Sequence, residues 1–373
     1  MKRDFVLQLE TRLMESPRFI QVVLGPRQVG KTTGVNQLRE EFKDKGFLFE
    51  NADAIFSSQA QWLQDLWIKV RLMRRENKDV ILAIDEVQSI PDWSRIVKGL
   101  WDQDKKDGLN FHLILLGSSS LELHSGLSES LAGRFELTYV PHWSWSESKE
   151  LKSDVTLDEY LDYGGYPELL KFDHSDRRQS YLKNSIIDPV INKDILLNAT
   201  VKKPALFKQS FELACLHAGE VLSLNKFLGQ LQEGGNVDLV KHYLKLFEQA
   251  FLLHTLEKFT TSKIQKKGSS PKLIPAANAL MSLFDGIDRG RKFEVMIGNH
   301  LISKYQNVTY WREGDREVDF VVKLPRKIVA IEVKSGRKRA NTGLEAFLKH
   351  FNAKTLIITP DNFQTIDELI ELS

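Results

Sequence analysis

A short apolar run, Phe19–Leu24, leads directly into Gly25-Pro-Arg-Gln-Val-Gly-Lys-Thr-Thr33, and no other stretch limits the available folds of this chain so sharply. The nine residues fit G-x-x-x-x-G-K-[ST], the pattern of a loop that wraps phosphate groups. The apolar, β-branched run reads as a buried strand, and Thr32 to Lys43 is compatible with a helix. That order has a chemical logic. Glycines let the backbone curl until its N–H groups point inward, and the helix N-terminus adds its positive dipole end. Gly25, Pro26, Arg27, Gln28, Val29, Gly30, Lys31, Thr32 and Thr33 are the candidate nucleotide-binding residues. Lys31 would reach the β- and γ-phosphates, and the Thr32 hydroxyl would sit on Mg²⁺. Arg27 is either a phosphate contact or a structural arginine. A chance glycine-rich turn is the competing reading, and the strand–loop–helix context stands against it.

A chain of 373 residues predicts two or three domains. No apolar run reaches the roughly 18 residues of a membrane span, so no membrane partner is expected. The start, Met1-Lys-Arg-Asp-Phe, has no apolar segment behind it and does not read as a secretory signal. The single cysteine, Cys215, excludes an internal disulfide and reads as a buried core thiol. Together these features predict a cytoplasmic protein. Net charge is +2, but residues 201–272 carry 11 Lys/Arg against 6 Asp/Glu, and residues 287–339 carry 13 against 7. Basic charge gathered in these later segments points to an anionic polymer, DNA being the usual one. Solvated surface lysines explain the charge equally well.

Three more segments fit a nucleotide-hydrolysing domain. Val80-Ile-Leu-Ala-Ile-Asp-Glu86 is continuously apolar until its two acids, as expected of a strand covered on both faces. Asp85 would hold Mg²⁺, directly or through water, and Glu86 would polarise the attacking water. Phe111–Leu116 is a further apolar run closed by Gly117-Ser-Ser-Ser120, where Ser118 or Ser119 is a candidate contact to the γ-phosphate. Arg134, ending Ser130-Leu-Ala-Gly-Arg134, is a candidate for stabilising transition-state charge, in cis or across a subunit boundary. A surface salt bridge is the alternative.

These residues resemble AAA+-type and signalling ATPases. They are closer still to one prokaryotic group that combines G-P-R-Q-V-G-K-T-T, a D-E-[VI]-Q strand end, a G-S-S-S strand end and S-L-[AR]-G-R. All four strings occur here, at Gly25–Thr33, Asp85–Gln88, Gly117–Ser120 and Ser130–Arg134. The resemblance implies a RecA/AAA-like parallel sheet with ATP and Mg²⁺. It also implies a C-terminal domain of formerly unknown function, similar to restriction-type nucleases. No Asn/Thr-Lys-x-Asp tetrapeptide follows the serine strand, which favours ATP over GTP.

The middle of the chain is less specific. Tyr163-Gly-Gly-Tyr-Pro-Glu168 reads as a turn that packs or hinges, and Asp176–Leu197 as a helical segment. Leu222–Leu231, a glycine turn and a helix from Val237 to about His254 suggest a winged helix-turn-helix, with Leu273-Ile-Pro in a wing strand. Lys241 and Lys245 would then face DNA, with Lys263, Lys266 and Lys267 in the wing. A helical lid without DNA contact is the other reading.

The last segment speaks again. Glu294 lies in a predicted helix, Arg291–Lys304; Asp319 in a strand, Glu317–Lys323; Glu332 and Lys334 in a strand, Ile328–Lys334. Period-two geometry puts Glu332 and Lys334 on one face. This layout resembles the PD-(D/E)xK nuclease superfamily, although Arg-Glu-Val-Asp replaces its Pro-Asp. The resemblance implies that Asp319 and Glu332 bind Mg²⁺, that Lys334 orients or deprotonates a water, and that Glu294 completes the acidic cluster. A salt-bridged acid–lysine set within a sheet is the plain alternative.

The expected architecture is α/β. A P-loop NTPase domain (1–150) would lead, then a helical lid and winged-helix-like part (151–285), then a small α/β restriction-endonuclease-like domain (286–373). The expected function is an ATPase whose nucleotide state controls a nuclease-like DNA-acting module. Its oligomeric form would be a homo-oligomer, or a complex with a partner that lends an arginine. The alternative is an ATP-driven switch whose last domain binds DNA or a partner without cutting.

Overall fold

The computed structural model describes residues 1–373 except 55–58, 77–78, 118–126, 128–129, 232–234, 261–268 and 337–341. The chain packs into two compact units. The first is Met1–His142 with Asn192–Ala199, and the second is Trp143–Ile191 with Thr200–Ser373.

The first unit is built on a five-stranded sheet, β1 (Ile20–Leu24), β2 (Gly46–Asn51), β3 (Val80–Asp85), β4 (His112–Gly117) and β5 (Phe135–Tyr139), in the order β2-β3-β4-β1-β5. Every pairing is parallel. All side chains of β1, β3 and β4 are buried, which explains why their sequences are apolar without alternation. Each fully buried aliphatic side chain there contributes about 1.5–3 kcal/mol. The helices Asp4–Met14, Lys31–Glu41, Gln59–Arg75 and Trp93–Asp107 belong to this unit. The sheet directs the carboxyl ends of β1, β3 and β4 to one edge, because parallel strands all point the same way.

The second unit begins with short helices, Trp145–Leu151 and Leu157–Tyr163. The Tyr163–Glu168 turn is a packing element: Trp143 N–H donates to Gly165 and Ala279 N–H to Gly164, and Tyr166 is buried. The segment expected to be helical over 176–197 begins as an α-helix, Ser175–Tyr181. It continues as π-helical turns, Leu182–Ile187 and Val190–Ile195. Then come the helix Pro204–Leu216, an isolated antiparallel bridge from Val221 to Lys272, and the helices Leu224–Gln230 and Val237–Gln249. The antiparallel hairpin β6 (Leu253–Leu256) and β7 (Lys272–Pro275) closes this part. The second of these helices stops short of the expected His254, because Phe251 takes a left-handed φ of 58° and turns the chain into β6. Cys215 is buried, as its sequence context predicts.

Four further strands, β8 (Val308–Glu313), β9 (Arg316–Lys323), β10 (Ile328–Val333) and β11 (Lys354–Ile358), form a sheet in the order β11-β10-β9-β8. The β8–β9 and β9–β10 pairs are antiparallel, and β10–β11 is parallel. Phe293, Met296, Ile297 and Leu301 of the helix Arg289–Lys304 share a core with Phe320, Val322, Val329 and Ile331. Leu344, Ala346 and Phe347 of the helix Thr342–His350 share a second core with Trp311, Val318, Val321 and Ala330. Over Phe320–Val322 successive side chains alternate between the two cores, and a register shift against Thr309 and Trp311 puts Val318 with the second core. The first core also takes in Val155, Leu170, Ala218 and Leu256, so the segments expected as separate middle and last parts pack around common apolar residues.

Candidate functional site

In the first unit the loop after β1 is shaped by two left-handed residues, Gln28 (φ 62°) and Gly30 (φ 87°), before the helix Lys31–Glu41 starts. Gly25 has no room for a side chain, since a Cβ there would lie 2.3 Å from the Val140 carbonyl oxygen. Arg3 braces the outside of the loop, its guanidinium donating to the Val29 carbonyl at 2.9 Å and to the Pro141 carbonyl at 2.9 Å. Lys31 turns back over the loop and donates to the carbonyls of Gly25 (2.9 Å) and Pro26 (2.6 Å). Burial pulls its pKa down to about 8, opposed by the carboxylates of Glu86 and Asp85.

The neighbouring acids meet this loop as their sequence positions require. Thr32 Oγ1 donates to Asp85 Oδ2 at 2.6 Å, and Asp85 Oδ1 accepts the Glu86 N–H at 3.0 Å. Thr32 and Asp85 thus form an oxygen pair at the base of the loop, the donor chemistry that a hard cation such as Mg²⁺ takes. The fit to Mg²⁺ rests on that pair. Glu86 adopts a left-handed φ of 51°, and the Gln88 side-chain amide bonds its carboxylate. Burial, reinforced by Asp85, raises its pKa, which moves it toward the range of a general base. Gly117 lies in register with Leu24, at the same sheet edge as the loop. Ser118 and Ser119 follow it and lie outside the described residues.

Two arginines take up the ion-paired readings left open for them. Arg27 grips Asp194 as a fork, Nε to Oδ2 at 2.7 Å and a terminal nitrogen to Oδ1 at 2.6 Å. Arg134 sits just before β5, whose first residue pairs with Ile20 at the start of β1. The loop lies at the other end of β1, about 15 Å away at roughly 3.3 Å per residue. Arg134 forks onto Asp102 at 2.7 and 2.9 Å. A role for Arg134 on a nucleotide held by its own chain is therefore corrected: strand direction puts it on the wrong edge of the sheet.

In the second unit the structure does bring Glu294, Asp319, Glu332 and Lys334 near one another, through linked ion pairs and backbone bonds. Sequence reasoning missed the group at their centre, Lys272 at the start of β7. Its side chain is wholly buried, and its ammonium lies 2.7 Å from Glu294, 2.9 Å from Glu317 and 3.5 Å from Asp319 carboxylate oxygens. Burial works against this ammonium, but Glu294, Asp319 and Glu317 outweigh it and hold its pKa above the usual lysine range. Burial pushes Glu294 up to about 8 even with Lys272 beside it. Asp319 Oδ2 accepts the Val333 N–H at 2.7 Å and so continues the β9–β10 ladder with a side chain. Glu332 pairs with Lys334, and its other oxygen, Oε2, is buried with no hydrogen-bond partner among the described residues. Burial, reinforced by Asp319, raises the Glu332 pKa.

Asp319 and Glu332 thus do not fit a divalent cation as they stand. An internal ammonium fills the cluster, and among the described residues no group of three or more His, Cys, Asp or Glu is arranged to hold a metal ion. The only sequence signal for Lys272 was a lysine opening the apolar Lys272-Leu-Ile-Pro275, a place where a charge needs a partner. Of the predicted DNA-facing lysines, Lys241 and Lys245 are exposed on the helix Val237–Gln249, with Lys241 3.8 Å from Asp238. Lys263, Lys266 and Lys267 lie outside the described residues.

A parallel sheet, a glycine loop closed by lysine and threonine, and an acid at the end of β3 that accepts a hydrogen bond from that threonine make a P-loop nucleotide-binding fold. Residues 17–149 match a family model described as an AAA domain. Residues 154–289 and 289–372 match two domains of unknown function, DUF8612 and DUF4143. An uncharacterized protein of Haemophilus influenzae is 23% identical over 338 residues, covering 84% of this chain and 82% of its own. One of Methanocaldococcus jannaschii is 23% identical over 346 residues, 86% and 76% of the two chains. Among solved structures, the Aeropyrum pernix ORC2 protein in ADPNP–ADP complexes aligns with a TM-score of 0.40 at 14% identity, over 80% of this chain and 92% of its own. A RuvB variant of Thermotoga maritima aligns at 0.34 and 16%, over 70% and 90%. No helix among the described residues is long and apolar enough to cross a membrane.

Proposed function

We propose that this chain is an ATP-hydrolysing switch of the AAA type, whose nucleotide state controls a nuclease-like, DNA-acting module in the second unit. The observation that carries the first half is the 2.6 Å hydrogen bond from Thr32 to Asp85, with Glu86 next along the strand end. Mg²⁺ would be held by Thr32 and Asp85 and would offset phosphate charge. Backbone N–H groups of Gly30 to Thr33 orient the phosphates, and the Lys31 ammonium leaves its two carbonyl partners for them. Glu86 accepts a proton from the attacking water. Since Arg134 is at the far edge, an arginine for the transition state comes from a second copy or a partner.

For the second unit, the Lys272-filled cluster favours recognition without cleavage over metal-dependent hydrolysis. The order of one helix, four strands and an intervening helix supports the nuclease-like ancestry. The exposed Lys241 and Lys245, and the basic excess around them, support DNA as the partner. Binding of a labelled ATP analogue and its hydrolysis test the first half. Lys31→Ala should weaken binding by at least about 100-fold, and Glu86→Gln should keep binding while slowing hydrolysis by about 10²–10⁴. An unchanged rate in Lys31→Ala refutes the loop assignment. Incubation with single-stranded, duplex and branched DNA in Mg²⁺ or Mn²⁺ tests the second half. Cleavage that Asp319→Ala and Glu332→Ala abolish would replace the non-cutting reading with the nuclease one.

A further inference from the structure

The segment Asn192–Ala199 is separated by about 50 residues of chain from the rest of the first unit, yet it packs with that unit. The chain on both sides of it, ending at Ile191 and resuming at Thr200, belongs to the second unit. What fastens this strap is Asp194, nearly buried, whose two oxygens take the fork of Arg27 at 2.6 and 2.7 Å. Arg27 is not a neutral anchor. It is the third residue of the phosphate loop itself. The local backbone is also unusual: Asp194 lies in a π-helical turn, a rare geometry that occurs mostly at functional positions. The turn ends on bonds from Asn198 and Ala199 N–H to the Ile195 carbonyl, at 3.1 and 2.8 Å.

The charges around the loop make the fork a choice rather than a fixture. Arg27 faces Asp194, Lys31 turns over the loop carbonyls of Gly25 and Pro26, and Thr32 bonds Asp85 beside Glu86. A guanidinium satisfies one planar pair of oxygens at a time, and carboxylate and phosphate compete for it on equal geometric terms. A triphosphate in the loop brings further negative charge, even with its Mg²⁺, next to Asp194. That charge attracts Arg27 and repels its present partner. A diphosphate, lacking the γ-group, does so less.

We propose that Asp194 is a latch that the γ-phosphate of a bound nucleoside triphosphate displaces from Arg27, releasing the strap 192–199 whose two ends lead into the second unit. This rests on the ATP reading above and specifies how nucleotide state leaves the loop. The strap moves because the triphosphate interacts differently with the latched and unlatched states, which is the only way a ligand shifts such an equilibrium. In the latched state part of the binding energy is spent on opening, so the affinity measured is lower than that of the unlatched loop.

Amide hydrogen exchange on the full chain reads this directly, with Mg²⁺ and either ADP or a non-hydrolysable ATP analogue. The expected result is protection of residues 25–33 with both nucleotides, and about tenfold faster exchange at residues 192–199 with the ATP analogue alone. Asp194→Asn should show the fast exchange without nucleotide and bind the ATP analogue about tenfold more tightly, with little change for ADP. Protection of the loop by the analogue with exchange at 192–199 unchanged or slowed overturns the latch and leaves the ATP site standing. No protection of the loop by either nucleotide overturns the ATP reading, and the latch with it.

Discussion

Replacing Lys272 by methionine tests the central geometric finding in the second unit. Methionine is unbranched and of similar length, so it fills the buried channel of the lysine stem and removes only the charge. Three carboxylates at 2.7, 2.9 and 3.5 Å then lose their shared cation inside the protein. Breaking a buried ion cluster by deleting one partner costs about 3–5 kcal/mol, because the remaining charges stay desolvated and unpaired. The cost must depend on pH. Glu294 already titrates near 8, above its ordinary 4.5, so between those values the folded state holds a proton the unfolded chain has released. Stability from this group is therefore highest below pH 4.5 and is lost as pH rises toward 8, by up to about 1.4 kcal/mol per unit. Without Lys272 the neighbouring carboxyls are pushed up too, and at low pH they neutralise instead of repelling. We expect a loss of about 4 kcal/mol at pH 8 that shrinks to about 2 kcal/mol or less at pH 5. The two units need not unfold together, so the measurement is urea-dependent hydrogen exchange at the amides of β9 and β10. A loss under about 1 kcal/mol at pH 8, or the same loss at both pH values, would show that Lys272 does not neutralise the cluster.

Other expectations concern the first unit. Because burial sets the Lys31 ammonium near 8, ATP affinity should be level below pH 7 and fall by up to about tenfold per unit above pH 8; equilibrium titrations across that range check it. Gly25→Ala puts a Cβ 2.3 Å from the Val140 carbonyl oxygen, so backbone must shift, and the variant should lose nucleotide binding while the second unit keeps its exchange protection. Arg134→Ala removes only a half-exposed pair with Asp102; it should cost about 1 kcal/mol or less and leave ATP binding unchanged, and a loss of binding would contradict its place at the far sheet edge.

Much of the nucleotide site was legible in the sequence because its parts lie on short, contiguous stretches. Gly25 to Thr33 carries the loop, and Asp85 and Glu86 close an apolar strand. In a parallel sheet, strand ends converge on one edge, so local patterns were enough to bring Thr32 and Asp85 together. The C-terminal strands were legible for the same reason, from apolar runs bounded by charge. What the sequence left open depended on which end of a strand faces what, and on partners far apart in the chain. Arg134 was a credible catalytic arginine until the direction of β5 placed it about 15 Å from the loop. Asp194 and Arg27 are 167 residues apart, and nothing local to either announces the fork.

Lys272 marks that division most clearly. Sequence alone determined that Glu294, Asp319, Glu332 and Lys334 occur on a helix and two strands in a fixed order. It could not determine what neutralises Glu294 and Asp319. A metal ion and a buried ammonium satisfy the same carboxylates by the same electrostatics, and residue order does not distinguish them. The hairpin β6–β7 decided it by delivering a lysine from outside the motif into the acids. The strong, contiguous signal at Gly25–Thr33 therefore fixed a chemistry, whereas at the acidic cluster only the packing of distant segments fixed which cation is there.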